Sequence, residues 1–209
     1  MQLIETHAHL DLADFDADRP DVLSRARAAG VQAIINIALH PEASERTLAL
    51  AEAHGDIYAA VGIHPHAAGD YGDRLEEALA SLRQLARHPR VVALGEMGLD
   101  FYRDYAPRDA QQIVFEAQLD LARTLGLPVI IHNRAATREV FACLERLTPP
   151  RVVLHCFAGD VASGRWAADR GFYIGVGGTL TYPRADALRQ VVQAYPRDRV
   201  VLETDCPFF

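Results

Sequence analysis

Short apolar runs alternate along the chain with longer segments whose apolar residues recur every three or four positions. The runs Leu3 to His7, Val31 to Ile37, Ile57 to Gly62, Val91 to Glu96, Leu127 to His132, Val152 to His155, Phe172 to Val176 and Val200 to Glu203 read as β-strands. They are rich in Val, Ile and Leu and apolar on both faces, as strands of a parallel sheet covered on each side must be. Between them, four stripes predict amphipathic helices: Leu75, Leu79, Leu82 and Leu85; Val114, Ala117, Leu121 and Leu125; Val140, Cys143, Leu144 and Leu147; Leu188, Val191, Val192 and Tyr195. Pro20 and Pro41 fall where the first turn of a helix accepts proline, and Gly30, Gly55, Gly126 and Gly171 fall where helices close. Eight strands in βα alternation, with no internal repeat and no linker, predict an α/β fold. It is a single (β/α)8 barrel domain, the TIM barrel, over residues 1–209. A doubly wound sheet would want a Gly-rich phosphate turn after its first strand, and here that strand ends in His7-Ala8-His9. Eight strands are matched by only seven following helices. The expectation is a C-terminally incomplete barrel, its final helix missing, with Ile4, Val200 and Leu202 facing outward where that helix would pack.

Composition narrows the chemistry. Half of the 209 residues are hydrophobic and 23% are charged, which suits one globular domain with a real core. No apolar run approaches the 18 or so residues of a membrane helix, and Met1 to His9 carries no secretory signal. The three cysteines form no CxxC pair, which reads as thiols in a reducing cytoplasm. All 21 basic residues are arginine. The absence of lysine excludes a Schiff-base enzyme, a P-loop NTPase and any carbamylated-lysine metal bridge. A net charge of −7 with no basic run argues against a wide electrostatic grip on nucleic acid, while leaving room for an enzyme that touches one or two phosphates. No obligate protein partner is evident.

Ionisable groups recur at the C-terminal ends of the expected strands, where barrel enzymes build their sites. His7 and His9 end the first strand, His64 and His66 follow the third, and Glu96 ends the fourth. His132 ends the fifth, His155 the sixth, and Asp205 follows the eighth. Residues two apart on a strand face one side, so His7 and His9 can chelate one ion. Glu96 at the end of an apolar strand is a costly buried carboxylate unless metal-bound or paired. His132 and His155, singly as readable as core histidines as ligands, gain weight from their identical placement on adjacent strands. Asp205 is the ligand candidate nearer the mouth, and Glu203 orients a neighbour from behind. His64 either lines the site or is idle, and His66 reads as a solvated loop residue. Arg134, two past His132, is either a phosphate contact or a solvated helix-start residue. Cys156 and Cys206 face away by strand parity and read as packing. Four histidines and two carboxylates exceed the needs of one four-coordinate metal. They suit two divalent cations sharing a carboxylate, with a hydroxide between them. Without lysine, Glu96 must be the bridge.

Six stretches together resemble the TatD family of metal-dependent deoxyribonucleases, within the amidohydrolase-like barrels. They are Glu5 to Asp11, Val61 to His66, Gly95 to Asp100, Leu127 to Arg134, His155 to Phe157 and Leu202 to Pro207, in order along the whole chain. The resemblance implies a first metal held by His7, His9, Glu96 and Asp205, and a second held by Glu96, His132 and His155, with His64 lining a phosphate pocket. It implies phosphodiester hydrolysis, most naturally at DNA ends or on single strands. Glu96 and Asp205 would be the catalytic pair, Asp205 taking the proton of the attacking hydroxide, and His64 and Arg134 would contact substrate. Imidazole-rich ligation favours Zn or Mn, and the resemblance allows Mg. Two departures stand out. Ala135 replaces the acidic residue usual after the strand-five arginine, and the family's Pro-rich loop and final helix are absent. The same ligands would serve a carbonyl hydrolase acting on an ester, amide or lactone, aminoacyl-tRNA included. An inactive metal-binding scaffold is the third reading.

Overall fold

The structure is a computed structural model that describes residues 2–103 and 105–208. Eight strands pair in chain order, each parallel to the next: β1 (Leu3–Ala8), β2 (Val31–Ile37), β3 (Ile57–Val61), β4 (Val91–Asp100), β5 (Val129–Arg134), β6 (Val152–Leu154), β7 (Tyr173–Val176) and β8 (Val200–Leu202). Seven helices separate them: α1 (Arg19–Ala28), α2 (Pro41–Ala53), α3 (Leu75–Leu85), α4 (Arg108–Leu125), α5 (Thr137–Leu147), α6 (Val161–Asp169) and α7 (Asp186–Ala194). The expected (β/α)8 barrel is what forms. Its ring closes between β1 and β8 through the loop past β8. The Asp205 amide donates to the His7 carbonyl (2.9 Å), the His9 amide to Cys206 (3.0 Å), and the Thr6 hydroxyl to Leu202 (2.9 Å).

The helices bury the stripes that the periodicity marks, including Leu79, Leu82, Val114, Leu121, Val140, Leu144, Leu188 and Val191. A separate cluster of Ile37, Ala60, Ala93 and Ile130 draws only on strands β2 to β5, and so fills the ring itself. Ile4 and Leu202 are exposed (56% and 53%), whereas Val200, expected to face outward with them, is partly buried against the core. None of the described helices is long and apolar enough to cross a membrane.

The boundaries differ from the sequence reading where the backbone has a reason. β5 starts at Val129 because Pro128 has no N–H to give to a ladder. β4 runs four residues past Glu96, to Asp100, pairing Gly98 with His132. Gly98 sits at φ +148°, and a Cβ there would fall 1.9 Å from the His132 carbonyl oxygen. Only glycine lets β4 press against β5 at the height where both carry polar groups. Gly30, Gly126 and Gly171 take positive φ at helix ends, whereas Gly55 does not.

Candidate metal centre

Glu96, buried at the mouth of the barrel, is the hub. Its Oε2 lies 3.3 Å from His7 Nε2 and 3.9 Å from His9 Nε2; its Oε1 lies 2.7 Å from His132 Nδ1, 3.7 Å from His64 Nε2 and 3.8 Å from His155 Nε2. Asp205 faces it across the same space, with Oδ1 3.3 Å from His9 Nε2 and 3.7 Å from His7 Nε2, and Oδ2 3.7 Å from His155 Nε2. The six residues read from strand ends as ligands therefore converge on one point.

The donor set fits divalent cations. His7 Nε2 and His9 Nε2 stand 3.2 Å apart. His9 Nδ1 is 2.9 Å from the Ile37 carbonyl, which can only accept, so Nδ1 carries the proton and Nε2 presents its lone pair. His7 is fully enclosed, and burial together with neighbouring His155 holds it well below the usual imidazole range. Burial lowers His9, but Asp205 and Glu96 outweigh it and raise that ring, and a cation before the two Nε2 atoms would take the place of the proton drawn there. Ligand atoms of His7, Glu96 and His155, and of His7, His9 and Asp205, each lie within 4.8 Å of one another. His132 groups in the same way with His64 and His66 rather than with His155, although it touches Glu96.

Burial pushes the Glu96 carboxyl up, but His155, His64 and His7 pull it further down, so it stays ionised. Burial lowers His155, and Glu96, Glu203 and Asp205 outweigh it, lifting that imidazole to about 9. Glu203 is 3.1 Å from His155 Nδ1 and accepts the Cys156 amide (2.6 Å), the orienting place expected of it. Gly175 makes room: a Cβ there would fall 2.1 Å from Glu203 Oε2.

His64 is a donor in this arrangement. Its Nδ1 accepts the His66 amide (3.1 Å), so the proton of the neutral ring sits on Nε2, toward Glu96. Burial lowers its pKa to about 3, which keeps the ring neutral. That suits a group lining the site. Arg134 is exposed at the rim, its guanidinium 4.3 Å over the Tyr102 ring.

Several contributors escape a strand-end reading. Asp100 is wholly buried; its Oδ2 lies 3.1 Å from His132 Nε2 and 2.8 Å from His66 Nε2, and its Oδ1 accepts the amides of Tyr102 and Arg103. Burial alone would raise that carboxyl; the hydrogen bonds from His132, Arg103 and His66 hold it far below the usual range. His66 is thus bonded to Asp100, not idle in solvent. Two buried glutamines of α4 clamp strand ends. Gln118 exchanges hydrogen bonds with both backbone groups of Ile63, beside His64, and Gln111 with both of Asp100. Asn36 accepts the Leu10 amide (2.6 Å), fixing the chain just past His9. Cys156 belongs to the site side: its sulfur, His155 and Glu203 fall within 4.8 Å of one another. β6 ends at Leu154 and Cys156 turns to φ +43°, so strand parity no longer applies there. Cys206 stays partly buried against the core.

A family model described as TatD related DNase matches residues 4–209. An uncharacterized metal-dependent hydrolase, YabD of Bacillus subtilis, is 40% identical over 208 residues, covering 99% of this chain and 80% of that one. A 3′-5′ ssDNA/RNA exonuclease, TatD of Cronobacter turicensis, is 39% identical over 199 residues, or 94% of this chain and 74% of that one. The crystal structure of YjjV, a TatD homologue from Escherichia coli, superposes with a TM-score of 0.90 at 39% identity, covering 98% of this chain and 79% of that one.

Proposed function

This chain belongs to the TatD-related DNase family and is a metal-dependent hydrolase, and from that premise we propose that it removes nucleotides from the end of a single-stranded nucleic acid by phosphodiester hydrolysis. The observation that carries the reading is the convergence of the His7, His9, His132 and His155 imidazoles on Glu96, with Asp205 facing them, at the mouth of the barrel. Relatives at this level of identity carry the name 3′-5′ ssDNA/RNA exonuclease, which supports both the substrate and the direction.

Two divalent cations suit the donor count, one against His7, His9, Glu96 and Asp205 and the other against Glu96, His132 and His155. Zn or Mn matches the imidazoles on softness, and Mg is compatible with the carboxylates. When bound, such ions neutralise phosphate charge and lower the pKa of water. The chain's own groups do the rest. Glu96, kept ionised, sets the spacing of the imidazoles around it. Asp205, at the mouth, accepts the proton of the attacking water and passes it on. His64 offers its Nε2–H to a phosphate oxygen. Arg134 at the rim meets the next phosphate along the strand. The three cysteines are free, in keeping with a reducing cytoplasm.

The test is a panel run on protein purified without chelator, with its metal content measured. We expect metal-dependent shortening of a 5′-labelled single strand and turnover of bis-(nitrophenyl) phosphate above the metal-free background. Hydrolysis of nitrophenyl esters without phosphodiester turnover would replace this reading with a carbonyl hydrolase, and no turnover at all would leave a metal-binding scaffold.

A further inference from the structure

Among the described residues four aromatic side chains are more than half exposed: Tyr102 and Tyr105 at 66%, Tyr182 at 51% and Phe208 at 56%. All four lie past the C-terminal ends of strands, two after β4, one after β7 and one after β8. Among the described residues no aromatic this exposed lies on the outer helices or the opposite face.

Cations gather at the β4 part of that rim, although the chain is acidic overall. The Arg134 guanidinium lies 4.3 Å over Tyr102, Arg103 lies 5.8 Å from the same ring, and Arg108 lies 4.5 Å over Phe101. The patch is joined to the candidate centre ring by ring. Tyr105 meets His66 edge to face at 4.8 Å, His66 bonds to Asp100, and Asp100 bonds to His132. Aromatic faces with interleaved guanidinia are the surface on which unpaired bases stack, the phosphates meeting the cations.

We propose that Tyr102, Tyr105 and Arg134 form a base-stacking shelf that seats the unpaired bases of a single strand beside the scissile phosphate. The shelf rests on the phosphodiesterase reading above and adds to it what holds the strand. Stacking is indifferent to sequence, so the shelf accepts any base and rejects a duplex end, whose bases are already stacked.

The experiment measures binding, not turnover. Fluorescence anisotropy on the protein as purified compares a phosphorothioate-linked single strand with a strand of equal length and charge whose end residues are abasic. Wild type is expected to bind the base-bearing strand about tenfold more tightly. Tyr102→Ala and Tyr105→Ala should each erase several-fold of that preference, and Tyr102→Trp should retain it. Both tyrosines are exposed, so the variants should keep their fold, which circular dichroism checks. Equal affinity of wild type for the two strands, or an unchanged preference in both alanine variants, overturns the shelf. A base preference in a protein that hydrolyses no phosphodiester keeps the shelf and removes the nuclease reading; hydrolysis without a base preference does the reverse.

Discussion

The two sides of the mouth hold their imidazoles by different means. On the β8–β1 side, the backbone sets the geometry. His9 Nδ1 donates to the Ile37 carbonyl, the Asp205 amide donates to His7, and the amides of His7 and Thr204 both donate to Glu5 Oε1 (2.9 and 3.0 Å). On the β4–β5 side, a carboxylate does that work. His132 spans Glu96 and Asp100, and His66 also leans on Asp100. A carbonyl partner fixes a neutral tautomer, whereas a carboxylate also raises the basicity of the ring. The electrostatics do not divide by side: burial and His155 hold His7 far below the usual range, whereas His9 beside it is raised, burial being outweighed by Asp205 and Glu96, and His132 is raised, burial being outweighed by Asp100 and Glu96. What differs between the sides is the anchor behind the rings, a carbonyl and backbone amides on one and the Asp100 carboxylate on the other.

If the two sides share only Glu96, its removal must disable both. Glu96→Ala is expected to abolish turnover and to lose both metals, read by elemental analysis of the purified variant. Two metals retained per chain would refute the shared bridge. Asp205→Asn should cost about 10²–10⁴-fold in turnover, the usual worth of a positioned base, while the β4–β5 metal stays bound. Unchanged turnover would mean that another group takes the proton.

Asp100 tests the β4–β5 side alone. Asp100→Asn keeps the shape but removes the charge behind His132, and should weaken one metal by about 10–100-fold and leave the other in place. Equal loss of both would show that Asp100 supports the fold and not that one ring. The raised imidazoles also set a pH dependence. With His155 at about 9, that ring is protonated at pH 7 before metal binds, so a cation must displace a proton. Metal affinity should therefore rise from pH 7 to pH 9, by at most about tenfold per unit for one linked proton, and level off above. Competition titrations across that range check it; a flat profile would mean that His155 is not a ligand.

How much of this was legible in the sequence depended on where a residue sat. His7, His9, Glu96, His132 and His155 each end an apolar run, so an ionisable group stands out against its neighbours. Asp100 has the same parity as Glu96, but the apolar run that marks β4 ends at Glu96, and the strand goes on past it through Gly98, which carries no apolar signal. Gln111 and Gln118 lie on the apolar stripe of α4, seven apart and in phase with Val114 and Leu121, and a polar residue on such a stripe is a buried one. Cys156 could not be placed by parity, because the strand ends two residues before it. The barrel itself was legible because its strands are buried on both faces, and its seam was not, since it is made in the loop past β8 rather than by a ladder.

That seam gives the smallest expected effect. Glu5 is the clasp, one carboxylate oxygen accepting the His7 amide from β1 and the Thr204 amide from the loop that carries Asp205. Burial raises its pKa, against the pull of those two amides. A carboxyl whose folded pKa is raised favours the protonated form in the fold, so its charge weakens the fold as pH rises above the unfolded value. The contact needs the oxygen as an acceptor, not the charge. Glu5→Gln keeps an acceptor of nearly the same reach and should leave the melting temperature unchanged, or slightly higher at pH 8. Glu5→Ala strands two amides at a partly buried seam and should cost about 1–3 kcal/mol, read by denaturant unfolding. It should also loosen the metal at His7, His9 and Asp205 while sparing the β4–β5 side. If Gln destabilises as much as Ala, the negative charge itself holds the seam, and the contrast between a backbone-built side and a carboxylate-built side fails.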